Sequence, residues 1–343
     1  MADEPRPAAD RPEGAGQSLS RRDFLLRLGY AAAVTAALGG AALARHDAQG
    51  PALRPQPPVL TGLGDFSLPA LAGAAGRLAI VAGRDRSQTV TRGLAALGGM
   101  GVFIQPGDRV LIKVNAAFAS PPALGATTHP DLLATVAQLC FQAGAAQVVV
   151  TDNPINDPAT CFRVTGLAAA AQQVGARVIL PQPALFRPVS LPQGRLLQQW
   201  PTMAGVFAGI NKVIILSPVK DHQRAGASLT LKNLYGFLGG RRNLFHQDIN
   251  GIITELALLL RPTLCILDGT VSMVSNGPTG GSLSDLKETG AMVISTDPVA
   301  ADAVGVDLLG RQLAEIPYIQ MAAAAGAGVA DFQALKPLEL SVP

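Results

Sequence analysis

Lysine, arginine and histidine gather in one stretch, Ser217–His246, of a chain that is otherwise sparing with charge. It carries Lys220, His222, Lys232, Asn233, Arg241, Arg242 and His246, and it lies between the apolar runs KVIILS and LCILDG. Cationic side chains between buried strands are costly unless they are solvated or bind something. Lys220 and His222 flank Asp221, so in an extended segment they face the same way. With the glycine-rich backbone around them, such cations suit a carboxylate or phosphate. His222 is the leading general acid–base candidate, because a free imidazole titrates nearest neutral pH. Lys220 stands beside it, and Asp152 or Asp268 would orient the imidazole or hold a metal. The bland alternatives are a solvated basic loop and, for His246, a structural role.

Further polar residues close predicted strands. Lys113 and Asn115 end VLIKVN, Asp152 and Asn153 follow QVVVT, Asp268 follows LCIL, and Thr296 and Asp297 follow AMVIS. Thr128 and His129 precede a helix in TTHP, and Asn276 and Gly277 open the loop NGPTGG. If every strand were parallel, these ends would share one edge and line a single cleft. Taken singly, each is also an ordinary turn or cap, and Asp297 before Pro298 reads as a helix N-cap. No GxxxxGK[ST], HExxH or GxSxG motif occurs, so the cofactor is unknown, with a metal or a nucleotide-like group both compatible. Cys140, Cys161 and Cys265 are isolated, which leaves no iron–sulfur motif.

The elements needed to position these residues are legible. Near-continuous β-branched runs alternate with helix-length segments, giving βαβαβ from Arg77 onward. The fold class expected is α/β: a mostly parallel sheet flanked by helices, three-layered and Rossmann-like. The Pro-rich residues 181–210 suggest a small cap or edge hairpin. With 343 residues, 48% hydrophobic and 15% charged, the chain can bury a sizeable core. A net charge of +3 gives no footing for nucleic acid.

The N-terminal part reads differently. Residues 1–19 have the composition of a disordered segment. Ser20-Arg21-Arg22-Asp23-Phe24-Leu25, followed by an apolar Leu28–Ala44 segment, resembles a twin-arginine export signal. Ala42-Leu43-Ala44 offers a cleavage site, although about 17 apolar residues also suffice for a retained anchor. The organisation expected is a signal to residue 44, a linker over 45–76, an α/β core over 77–320 and a tail over 321–343. The partners implied are the twin-arginine translocase and an anionic small molecule, with membrane contact only through an uncleaved signal. The location implied is the periplasm.

The order of motifs IKVN, TTHP, TDNP, SPVKDH, SLTLKNLYG, GRR…H, LDG, NGPTGG and STDPVAADAV over residues 77–310 resembles the family called domain of unknown function 362. Valine stands at 114 where members usually have proline. Many members carry cysteine-rich ferredoxin segments, so the resemblance also implies an accessory role in an iron–sulfur redox complex. A looser similarity links the chain to the lactate racemase family, which binds a nickel pincer nucleotide. The function expected is an exported protein, an enzyme binding an anionic substrate or cofactor in a Lys/Arg/His-lined cleft. The alternatives are a non-catalytic periplasmic binding or carrier protein, or an accessory subunit of an iron–sulfur redox complex.

Overall fold

A computed structural model of the chain describes residues 20–44, 58–71 and 77–343. The segment expected to be disordered, and residues 45–57 and 72–76 of the expected linker, lie outside the described residues. The chain forms two units, Met1–Gln56 and Pro57–Pro343. In the first, helix α1 (Arg21–Ala44) follows Ser20, whose hydroxyl accepts from the Asp23 amide at 3.2 Å. At 24 residues, with an 18-residue window of mean hydropathy 1.4, α1 is long and apolar enough to cross a membrane.

The second unit begins with short strands β1 (Leu60–Thr61) and β2 (Gly64–Asp65). There follow β3 (Leu78–Ala82), α2 (Arg86–Ala96), β4 (Arg109–Lys113), α3 (Pro130–Gln142), β5 (Gln147–Thr151), α4 (Pro158–Val164), α5 (Leu167–Gln173) and β6 (Arg177–Ile179). Strands β7 (Arg187–Ser190) and β8 (Trp200–Thr202) lead to β9 (Lys212–His222), β10 (Gly226–Ser228), α6 (Thr230–Asn233) and α7 (Ile249–Leu259). The chain ends with β11 (Leu260–Arg261), β12 (Leu264–Met273), β13 (Leu286–Lys287), β14 (Ala291–Ser295), α8 (Pro298–Leu308), α9 (Pro317–Ala324) and β15 (Leu338–Ser341).

The large sheet runs β15-β3-β14-β12-β9-β4-β5-β6, with β10 folded back on β9 and β13 on β12. Alternation along the strands splits the core into two layers. Val110, Ile112, Val148, Val150, Ile214 and Leu216 face α2, α3 and α5, whereas Leu111, Val149, Val213 and Ile215 face α7, α8 and α9. A large central sheet flanked by helices is therefore present.

The sheet is mixed, however, which corrects the expectation of a mostly parallel one. Strand β14 runs antiparallel to both neighbours, β12 and β3, and β10 and β13 add antiparallel pairings. A parallel return needs a crossover, usually a helix. Residues 274–290, between β12 and β14, hold only β13 and one short 3₁₀ turn, so the chain can only double back. Thr296 and Asp297 consequently leave the sheet at the edge opposite to Lys113 and Asp152. Asp297 caps α8, accepting from the amides of Val299 and Ala300, both at 2.9 Å.

Two boundaries also shift. Part of the expected linker belongs to the second unit: β1 pairs with β7 and β2 with β11, and Phe66 stacks on Phe207 at 5.6 Å. The expected tail supplies the end of α9 and the whole of β15, which adds a parallel strand beside β3. The Pro-rich 181–210 region forms the β7–β8 hairpin of a small three-stranded sheet.

Candidate anion-binding site

Strands β4 and β5 end side by side, while β9 runs on beyond them to His222; its extension and the loops after β4 and β5 wall a cavity of about 820 Å³. This is the size of a small-molecule site, at the sheet edge where α/β proteins commonly bind ligands. Among the described residues, four Lys and Arg side chains line it, Lys220, Lys232, Arg224 and Arg242, with one carboxylate, Asp152.

That carboxylate is already committed. Asp152 Oδ1 lies 2.7 Å from Lys113 Nζ and accepts from the Asn153 amide, while Oδ2 accepts from the Ala116 amide at 2.6 Å. Lys113, wholly buried, also donates to Asn233 Oδ1 at 2.9 Å and to the Val114 carbonyl at 2.7 Å. Burial pulls the Lys113 ammonium down and the Asp152 charge opposes that. Gly236 covers the pair: a Cβ there would stand 2.1 Å from Asp152 Oδ1 and 2.6 Å from Lys113 Nζ. The pair is a closed support for the cleft, not a charge on offer to a ligand.

Lys220, on β9, is also withdrawn from solvent. Its Nζ donates to the Ala126 carbonyl at 2.5 Å and the Pro278 carbonyl at 3.3 Å, and it lies 5.2 Å from the Phe118 ring centre. Burial, then the charges of Lys232 and Lys113, push its ammonium down to about 7, although Asp152 opposes them. Lys232 sits on α6. The Asp302 carboxylate pins that helix by accepting from the amides of Thr230 and Leu231 at 2.7 and 2.9 Å. Lys232 Nζ lies 4.1 Å from the Tyr235 ring centre and, among the described residues, has no hydrogen-bond partner. Burial, with Arg242 and Lys113 adding to it, pushes this amine down to about 7 as well.

His222 lines the cavity with its tautomer set by its neighbours. Nδ1 accepts from the amides of Arg224 and Ala225, both at 3.2 Å, so Nε2 carries the proton. Burial, then Lys232, Lys220 and His246, push the imidazolium down to about 3. His222 is a neutral hydrogen-bond donor at physiological pH, which removes the reason for reading it as a base poised near neutrality. Among the described residues, no carboxylate orients it. His246 stacks on Tyr235 with ring centres 5.6 Å apart. Arg242 lends charge to the cavity while its guanidinium spans the carbonyls of Tyr235, Leu238, Asn153 and Pro154.

The other expected residues divide. Asn115, Asn153 and Asn233 line the cavity. Thr128 sits behind it, donating to the Leu216 carbonyl and accepting from the Asn115 amide. His129 caps α3. Asp268, expected to end its strand, lies inside β12 and pairs with Arg86 Nε at 2.7 Å, away from His222. Arg241 is exposed and does not line the cavity. Asn276 binds Asp285, and the Gly277 amide donates to Asp221 Oδ2 at 2.9 Å. They shape the loop whose next residues, Pro278 and Thr279, reach the cavity. Sequence reasoning missed Phe118, Tyr235, Gly236 and Arg224; Tyr235 and Gly236 lie inside the SLTLKNLYG motif. Among the described residues, no three His, Cys, Asp or Glu side chains are placed to hold a metal ion.

Residues 110–307 match the family described as domain of unknown function DUF362. The chain belongs to that family. The match runs from β4 to α8 and so contains the walls of the cleft. A curated relative, the thylakoid-associated protein sll1697 of Synechocystis sp., is 30% identical over 237 residues, covering 65% of this chain and 70% of its own. Among solved structures, the lactate racemase apoprotein of Thermoanaerobacterium thermosaccharolyticum is similar at a TM-score of 0.39 and 13% identity. That likeness covers 75% of this chain and 62% of the other. A Thermotoga maritima protein is similar at a TM-score of 0.34 and 8% identity, covering 69% and 59%. At those scores neither structure speaks to the chemistry of this DUF362 member.

Proposed function

We propose that this DUF362 protein is exported through the twin-arginine pathway and binds a small anionic substrate or cofactor in the cleft beyond β4, β5 and β9. The observation that carries the reading is the balance of charge: four basic side chains face the cavity, and its one carboxylate is neutralised by Lys113. An anion entering there gains hydrogen bonds from side chains that have already lost their water. Export rests on the arginine pair that opens α1, with the helix either cleaved near Ala44 or kept as an anchor.

Two amines that titrate near neutral pH also favour catalysis over simple carriage, since such groups exchange protons at working pH. Lys220, rather than His222, is then the group for proton transfer. Native mass spectrometry with metal analysis, on protein recovered from the periplasm, tests the reading. A reproducible anionic adduct is expected. A bare protein mass, with no thermal stabilisation by oxalate or phosphate, overturns it.

A further inference from the structure

The three buried lysines at the cleft are not equivalent. Lys113 is held by a carboxylate, an amide oxygen and a carbonyl. Lys220 donates to two carbonyls. Those contacts give each of the two amines acceptors within the protein. Among the described residues, Lys232 has only the face of Tyr235, although it is 9% exposed and carried on a helix anchored by Asp302. A largely buried amine that lines a cavity among other cations, without a protein acceptor, is the setting in which a lysine becomes a nucleophile.

We propose that Lys232 is a nucleophilic amine that forms an imine with a small carbonyl compound bearing a carboxylate, such as a 2-oxo acid. The proposal deepens the anion-binding reading and rests on it, because the neighbouring cations would hold the carboxylate. The Lys232 nitrogen lone pair attacks the carbonyl carbon, and the π pair moves to oxygen, which takes a proton as the nitrogen loses one. The carbinolamine hydroxyl then takes a proton from solvent and leaves as water, giving a protonated imine. No oxidant or reductant takes part. Burial and the nearby charges of Arg242 and Lys113, which push the amine down to about 7, leave a large share of it neutral at physiological pH.

Reductive trapping tests the assignment. The full chain is incubated with glyoxylate and cyanoborohydride, digested, and mapped by mass spectrometry across its six lysines. The result expected is a carboxymethyl adduct at Lys232, formed at least tenfold faster than at Lys287 or Lys336, suppressed by oxalate and absent from Lys232→Arg. Adducts confined to other lysines, while oxalate or glyoxylate still raises the melting temperature, overturn the imine and leave the anion site standing. No adduct at Lys232 and no stabilisation by either compound overturns both. Because the wild-type map alone locates the adduct, an unfolded variant does not blunt the test.

Discussion

Lys113 Nζ and Asp152 Oδ1 meet at 2.7 Å beneath Gly236, joining the ends of β4 and β5 under the floor of the cleft. Removing one member of a buried pair strands the other charge, which costs about 3–5 kcal/mol. Lys113→Met and Asp152→Asn should each lose stability on that scale by chemical denaturation. The double variant should lose clearly less than the sum, because neither charge is then left alone.

Gly236→Ala tests the same pair without touching it. The added methyl has no room beside Asp152 Oδ1, so the expected cost is about 1–3 kcal/mol by denaturation, with weaker anion binding. Unchanged binding would show that the ion pair does not shape the cleft.

Anion affinity should fall as pH rises through about 7, where Lys220 and Lys232 lose their protons. The unliganded protein should behave in the opposite sense. Both amines titrate near 10.5 when exposed, so between about 7 and 10.5 the unfolded chain binds more protons, and their contribution to stability rises with pH. Oxalate titrations and melting curves over that range check both signs.

Lys220→Met and Lys232→Met should each weaken oxalate binding about tenfold to a hundredfold, the worth of a charged hydrogen bond of about 1.5–3 kcal/mol. His222→Gln should leave the inflection near pH 7 in place, since the imidazole is already neutral there. An inflection that moves with His222 instead of the lysines would reverse the assignment of roles.

Replacing Arg21-Arg22 by two lysines should block export, because twin-arginine recognition requires the pair. Fractionation reads the outcome: the protein should remain inside the cell. Continued delivery to the periplasm would remove the proposed route.

The sequence by itself determined the strands, the helices and the position of the cationic stretch. Runs such as VLIKV, QVVVT and KVIILS have no stable place except within a sheet buried on both faces. It also led to the expectation that Lys113, Asp152, Lys220 and His222 lie at one edge, since they close strands expected to be parallel, whereas Lys232 comes to the cavity on α6. Strand direction was not legible, because β14 has the same apolar composition whichever way it runs. Only the missing crossover turned it round and took Thr296 and Asp297 out of the site. Nor was the fate of each charge legible. Lys113, Lys220 and Lys232 are the same residue type, and only tertiary contacts gave the first a carboxylate, the second two carbonyls and the third an aromatic face. His222 likewise lost its place as a base to two backbone amides and the neighbouring cations, which chain spacing cannot show.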